Sequence, residues 1–167
     1  MFDFQPADPT DKPRLYTDLV AAARGLVEGE PDAIANMANV AALIWQFLPH
    51  LNWTGFYRFM DGELVLGPFQ GKPACLRIAL GSGVCGAAAT ARRTIRVADV
   101  HVFPGHIACD PTSASEIVVP VVVGGALIGV LDLDSPVPDR FDLTDQQGLE
   151  ELVQAVGPRL RQGQGHP

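Results

Sequence analysis

Cys109 lies in an irregular stretch, DVHVFPGHIACDPTSASE, residues 99–116, flanked by His106 and Asp110. The stretch ends on Glu116, which opens the apolar run IVVPVVV. Pro, Gly, Ser and Asp are too frequent here for a regular element, and long loops within a domain tend to carry function. Further on, Asp132 and Asp134 close a second apolar run, ALIGVLDLDS. Two residues apart on a strand, they share a face. The runs are joined at Gly124-Gly125, so a tight hairpin sets the start of one beside the end of the other. Glu116 is thereby brought to the aspartates. Clustered carboxylates repel, so at least one should hold its proton at neutral pH. The predicted chemistry is a general acid beside a thiol, set against the plainer reading of a half-buried loop cysteine.

These groups need a scaffold, and the composition bounds it. The chain has 167 residues, 47% of them hydrophobic, enough for one domain with a proper core. A net charge of −7 argues against nucleic acid and anionic membrane surfaces as partners. The first residues, MFDFQPADPTDKPR, lack a signal-peptide pattern, and no apolar run reaches membrane-spanning length. Three cysteines do not make a disulfide framework, which points to a reducing, cytoplasmic setting.

Residues 1–10 read as a flexible leader, 11–161 as the folded domain and 162–167 as a flexible tail. Asp11 caps a first helix whose apolar face is Leu15, Leu19, Ala22 or Ala23, and Leu26. Pro31 is the expected first residue of a second helix, with Ile34, Met37 or Ala38, Ala41, Ile44, Trp45 and Leu48 as its stripe. One helix is expected on the sheet, and the other is the candidate for a homodimer contact. NWTGFYRFM and ELVLGPFQ form a hairpin about Asp61-Gly62. Alternation sets Trp53, Gly55 and Tyr57 on one face: either the rings leave a gap over the glycine for something small, or both cover core. CLRIAL is a short strand, GSGVCGAAATARR a turn into a small-residue helix, and TIRVADV another strand. Thr144-x-x-Gln147 reads as a capping box for a last helix with Leu149, Leu152, Val153, Val156 and Leu160 inward. An antiparallel sheet with helices packed against it is an α+β fold.

Two other motifs do not fit. Gly81, Gly83 and Gly86 spell G-x-G-x-x-G, but the dinucleotide motif needs a parallel βαβ unit, and this order reads as antiparallel. His101, His106 and Cys109 form H-x4-H-x2-C, which is no zinc signature, so no metal is expected there. His50 and His166 read as solvated.

From about Trp45 to Leu152 the chain resembles the free methionine-(R)-sulfoxide reductases, a family built on a GAF domain. NWTGFY, QGKPACLRIALGSGVCG, VADVHVFPGHIACD, SASEIVVPV and GVLDLDSP match that family's blocks in order. The resemblance implies that Cys109 attacks the sulfoxide sulfur and that Cys75 resolves the resulting sulfenic acid. It implies a lesser role for Cys85. It assigns Glu116, Asp132 and Asp134 to the substrate's ammonium and to proton delivery, with Asp134 and Glu116 nearer the sulfoxide. Trp53 and Tyr57 become the wall at the methyl end. No cofactor is implied beyond an external thiol reductant of thioredoxin type. The competing expectation is a GAF module that senses a cyclic nucleotide or another small molecule, without catalysis.

Overall fold

The computed structural model describes residues 4–8, 10–106 and 110–161. Cys109 and His166 therefore lie outside the described residues. The sheet is built from β1 (Trp53–Met60), β2 (Glu63–Gly71), β3 (Arg77–Ala79), β4 (Ile95–Val97), β5 (Ser115–Val123) and β6 (Ala126–Ser135). Its order is β3-β2-β1-β6-β5-β4, and every pairing is antiparallel. The helices are α1 (Lys12–Val27), α2 (Ala33–Phe47), α3 (Gly83–Ala91) and α4 (Leu143–Leu160). The expected α+β class and single domain are what the chain adopts. No parallel βαβ unit exists among the described residues, so the glycines serve local geometry instead. Gly81 takes φ +82°, and a Cβ on Gly86 would lie 2.4 Å from the Ala79 carbonyl oxygen.

Strand alternation divides the apolar residues between two faces. On one face Phe56, Ile117, Val119, Val121, Leu131 and Leu133 pack with α1, α2 and α4 into the larger core. Phe4, near the start of the chain, also packs against it. On the other face Trp53, Tyr57, Val118 and Val130 pack with Val84, Cys85, Ala88 and Ala89 of α3. This helix runs between the edge strands β3 and β4 and crosses the central strands. Its small residues let it lie close to the sheet. Burying a carboxylate costs several kcal/mol, and a fully buried Leu contributes about 1.5–3 kcal/mol. The three-helix face therefore supplies the stability, and the α3 face can tolerate polar groups.

Several local expectations change. Pro31 precedes the second helix rather than opening it: Asp32 is the cap, its carboxylate accepting from the Ala35 amide at 2.8 Å. Asp can satisfy a free amide, which Pro at the first position cannot. Trp45 is 41% exposed and lies off the buried stripe. The third strand is shorter than CLRIAL, covering Arg77–Ala79. The capping box of α4 is Asp142 with Asp145, not Thr144 with Gln147. Asp145 decides this register. Fully buried, it accepts from the Tyr16 hydroxyl at 2.8 Å and from Lys12 Nζ at 2.6 Å, and Arg140 reaches it at 3.1 Å. A cap that also ties α1 to α4 prevails over one facing solvent. The Asp61-Gly62 hairpin turn stands as expected, both residues at positive φ.

Candidate active site

The hairpin β5–β6 sets the acids by register. Glu116 pairs directly with Asp134, and Asp134 pairs on its other side with Trp53 of β1. One lateral row thus reads Trp53, Asp134, Glu116, Val97 across four strands. The neighbouring row on the same face reads Gly55, Asp132, Val118, Ile95. Asp132 and Asp134, two residues apart on one strand, stand about 7 Å apart along it. The predicted convergence of Glu116, Asp132 and Asp134 is therefore present. Tyr57, Cys85, His106, Asp110 and Ser113 line the same pocket.

The pocket is an unusual place for negative charge. Glu116 is 5% and Asp132 6% exposed, and Asp134 is half-buried. Burial pushes the Glu116 carboxyl well above its ordinary value, and the charge of Asp134 across the strand pair adds to it. Burial does the same to Asp132, reinforced by Glu116. Asp134 is raised by burial and then by Asp132 and Asp110. The cluster therefore retains protons at pH values where free carboxyls have lost theirs. His106 Nε2 is 3.4 Å from Glu116 Oε2, and burial lowers its pKa, favouring the neutral imidazole. Asp132 Oδ1 is buried with no hydrogen-bond partner among the described residues. An orphaned buried acceptor is costly, and its natural complement is a donor brought by a ligand.

Asp110 behaves oppositely, and the sequence did not single it out. Its carboxylate accepts from the Thr112 amide at 2.9 Å and the Thr112 hydroxyl at 2.8 Å, and pairs with Lys72 Nζ at 3.0 Å. These donors hold it down at about 2, so it stays ionised. The local signal was the D-P-T turn, in which an Asp commonly accepts from the backbone two residues on. Lys72 could not have been found this way, because it arrives from the β2–β3 loop. Its carbonyl accepts from Trp53 Nε1 at 3.1 Å, tying the pocket rim to the aromatic wall.

Of the two readings of the aromatic pair, the structure takes the one without a gap over Gly55. Trp53 stacks on Phe69 with ring centroids 5.3 Å apart and on Tyr57 at 5.9 Å. Gly55 pairs with Phe69, and a Cβ there would lie 2.4 Å from Phe69 Cβ. The gap over the glycine is thus filled by the neighbouring strand, not left for a small ligand. Tyr57 lines the pocket, and Trp53 buttresses it from the side.

The thiols fall in different environments. Cys85, in the first turn of α3, is buried and lines the pocket. Burial, and then the charge of Asp132, raises its pKa well above the ordinary thiol value. Cys75 is half-buried in the β2–β3 loop beside the pocket residue Ala74. Cys109 is outside the described residues, but His106 and Asp110, its nearest described neighbours in sequence, both line the pocket. His101 is exposed and paired with Asp99 at 2.7 Å. His50 is exposed, with its carbonyl accepting from Ser135.

A GAF domain family model matches residues 35–160. The chain is 52% identical over 143 residues to the free methionine-R-sulfoxide reductase of Escherichia coli, covering 86% of this chain and 87% of that one. The chain belongs to the free methionine-R-sulfoxide reductase family. The Saccharomyces cerevisiae free methionine-R-sulfoxide reductase is 41% identical over 154 residues, covering 87% of this chain and 86% of that one. The crystal structure of the Neisseria meningitidis free methionine-R-sulfoxide reductase in complex with its substrate superposes with a TM-score of 0.91 at 42% identity. That match covers 96% of each chain. Free methionine-R-sulfoxide reductases therefore share this fold across nearly the whole chain.

Proposed function

We propose that this protein reduces free L-methionine (R)-sulfoxide to methionine at the expense of a dithiol. The observation that carries the reading is the buried acid cluster with an orphaned Asp132 oxygen, in a pocket bounded by Tyr57. A free amino acid brings an ammonium, which such a cluster suits and a peptide bond does not provide. The relatives named above act on this substrate class.

In the proposed reaction the Cys109 thiolate attacks the sulfoxide sulfur while Glu116 or Asp134 delivers a proton to the oxygen. A sulfoxide oxygen leaves sulfur poorly unless protonated, which is why raised carboxyl pKa values matter. Oxygen passes to the cysteine, giving methionine and a Cys109 sulfenic acid. The Cys75 thiol then displaces that oxygen as water and forms a Cys75–Cys109 disulfide. A thioredoxin-like dithiol returns both thiols by exchange and leaves as its own disulfide. Asp132 takes the ammonium, and Tyr57, supported by Trp53, faces the methyl end. Cys85 suits a resolving role poorly, because burial keeps its thiol protonated. Any of these acids that ionises works against a Cys109 thiolate, and the substrate ammonium offsets it. Such thiol cycling belongs in a reducing cytoplasm.

The test is a racemic mixture of free methionine sulfoxides with the protein and dithiothreitol, followed by chiral separation. Half of the sulfoxide should be consumed, all of it the (R) epimer. Loss of both epimers at one rate, or of neither, would remove the reading.

A further inference from the structure

Cys85 Sγ, a Glu116 carboxylate oxygen and an Asp132 carboxylate oxygen all lie within 4.8 Å of one another. They come from α3 and from the two strands of the β5–β6 hairpin, and the approach of α3 to that hairpin is not written in any short motif. All three residues are buried, at 4%, 5% and 6% exposure. The second observation is independent of this clustering. Asp132 Oδ1 has no partner among the described residues and belongs to a side chain that lines the pocket. His106 Nε2, 3.4 Å from Glu116 Oε2, brings a nitrogen donor to the same carboxylate.

We propose that the reduced pocket binds a thiophilic divalent cation, Zn²⁺ foremost, through Cys85, Glu116, Asp132 and His106. Thiolate sulfur, imidazole nitrogen and carboxylate oxygen are each zinc ligands, and one, one and two of them fill four positions. Bonds of about 2.0–2.3 Å place tetrahedral ligands roughly 3.4–3.7 Å apart. The three donors of Cys85, Glu116 and Asp132 must therefore draw together, and His106, which lies against Glu116 alone, must turn toward them. A dication takes the place of the protons that burial keeps on this thiol and these carboxyls, and neutralises most of the charge they then carry. Mg²⁺ and Ca²⁺ are poorly served by a thiolate and do not compete. Because the proposed substrate uses the same acids, Zn²⁺ and sulfoxide exclude one another. That consequence rests on the functional reading, whereas metal binding does not.

The experiment is anaerobic titration of the reduced full-length protein with Co²⁺, then displacement by Zn²⁺. The expected result is one cobalt per chain with a thiolate-to-cobalt charge-transfer band in the near ultraviolet, discharged by Zn²⁺. Cys85→Ser should lose the band. Asp132→Asn should keep the band and weaken Co²⁺ binding at least about 10-fold. Should Cys85→Ser fail to fold, as circular dichroism would show, Asp132→Asn alone decides. Overturning results are a band unchanged in Cys85→Ser but lost in Cys75→Ser, unchanged affinity in Asp132→Asn, or no saturable binding. In Cys109→Ser, which cannot reduce it, free methionine (R)-sulfoxide should discharge the band competitively. A band insensitive to sulfoxide, with the variants behaving as expected, leaves the metal site standing and removes the assignment of substrate to these acids.

Discussion

Glu116 and Asp134 are direct cross-strand partners on β5 and β6, two carboxylates facing each other with the pocket above them. Like charges directly opposite on a sheet are destabilising. Burial raises the pKa of both groups; the charge of Asp134 adds to the rise at Glu116, and those of Asp132 and Asp110 add to the rise at Asp134. An arrangement that costs stability and yields a protonated carboxyl is what acid-assisted cleavage of an S–O bond needs.

Glu116→Gln and Asp134→Asn should each lower turnover by roughly 10²–10⁴-fold, the scale of lost general acid catalysis. Both variants should fold, since each removes one of two opposed charges. Steady-state kinetics with circular dichroism checks this. Near-full activity in either variant would assign the proton to another group.

The same pair predicts a pH-dependent stability. A carboxyl raised in the folded state holds more protons there than in the unfolded chain. Stability is then full below the ordinary carboxyl range, near pH 4, and declines as pH rises toward the raised values. Glu116→Gln should flatten this decline in thermal melts between acid and neutral pH. Asp110 runs in the opposite sense: its contribution is present above the ordinary range and lost as pH falls toward about 2. A wild-type melting temperature that rises steadily from pH 5 to 8 would contradict the acid cluster's role.

Much of this site was legible because sheet alternation and a two-glycine turn are arithmetic on the sequence. The Gly124-Gly125 turn brings Glu116 to the end of β6, but plain register would oppose it to Leu133; an extra residue in β6, opposite Val121–Val122, moves Asp134 across from it and onto its face. What could not be read was lateral, across strands whose register depends on a bulge. Gly55 pairs with Phe69, while Tyr57 pairs with Leu66, so β2 has an extra residue between them. Phe69 Cβ and Cα lie against the glycine, which leaves the reading in which the rings cover core. Lys72 on Asp110 was hidden because a loop delivers it, and Cys85 against Asp132 because the packing of α3 on the sheet delivers it. The capping box was misplaced because Asp145 is chosen by Tyr16, Lys12 and Arg140, two of them from the far end of the chain.

Gly55→Ala tests the repaired view of the wall. The added Cβ would lie 2.4 Å from Phe69 Cβ and 2.7 Å from its Cα, and backbone yields little. A loss of about 1–3 kcal/mol is expected, the usual cost of overpacking. KM should rise as the Trp53–Phe69 stack shifts. Unchanged denaturant midpoint and KM would show that β2 can move freely.

The thiols should separate by order of events. Cys109→Ser should abolish reduction, whereas Cys75→Ser should release one methionine per chain and then stall with a protein reductant. Small dithiols should partly rescue Cys75→Ser by attacking the sulfenic acid. Mass mapping of substrate-oxidised protein should find a Cys75–Cys109 linkage. A Cys85–Cys109 linkage would move the resolving role to α3, and three free thiols after turnover would end the disulfide mechanism.

The central claim is that the buried acids select a free amino acid through its ammonium. The direct measurement is a comparison of kcat/KM for free methionine (R)-sulfoxide and for N-acetylmethionine (R)-sulfoxide amide, under one reductant. Removing the ammonium leaves Asp132 Oδ1 buried without a donor, so the blocked substrate should be slower by at least about 100-fold. Equal values for the two would contradict the account.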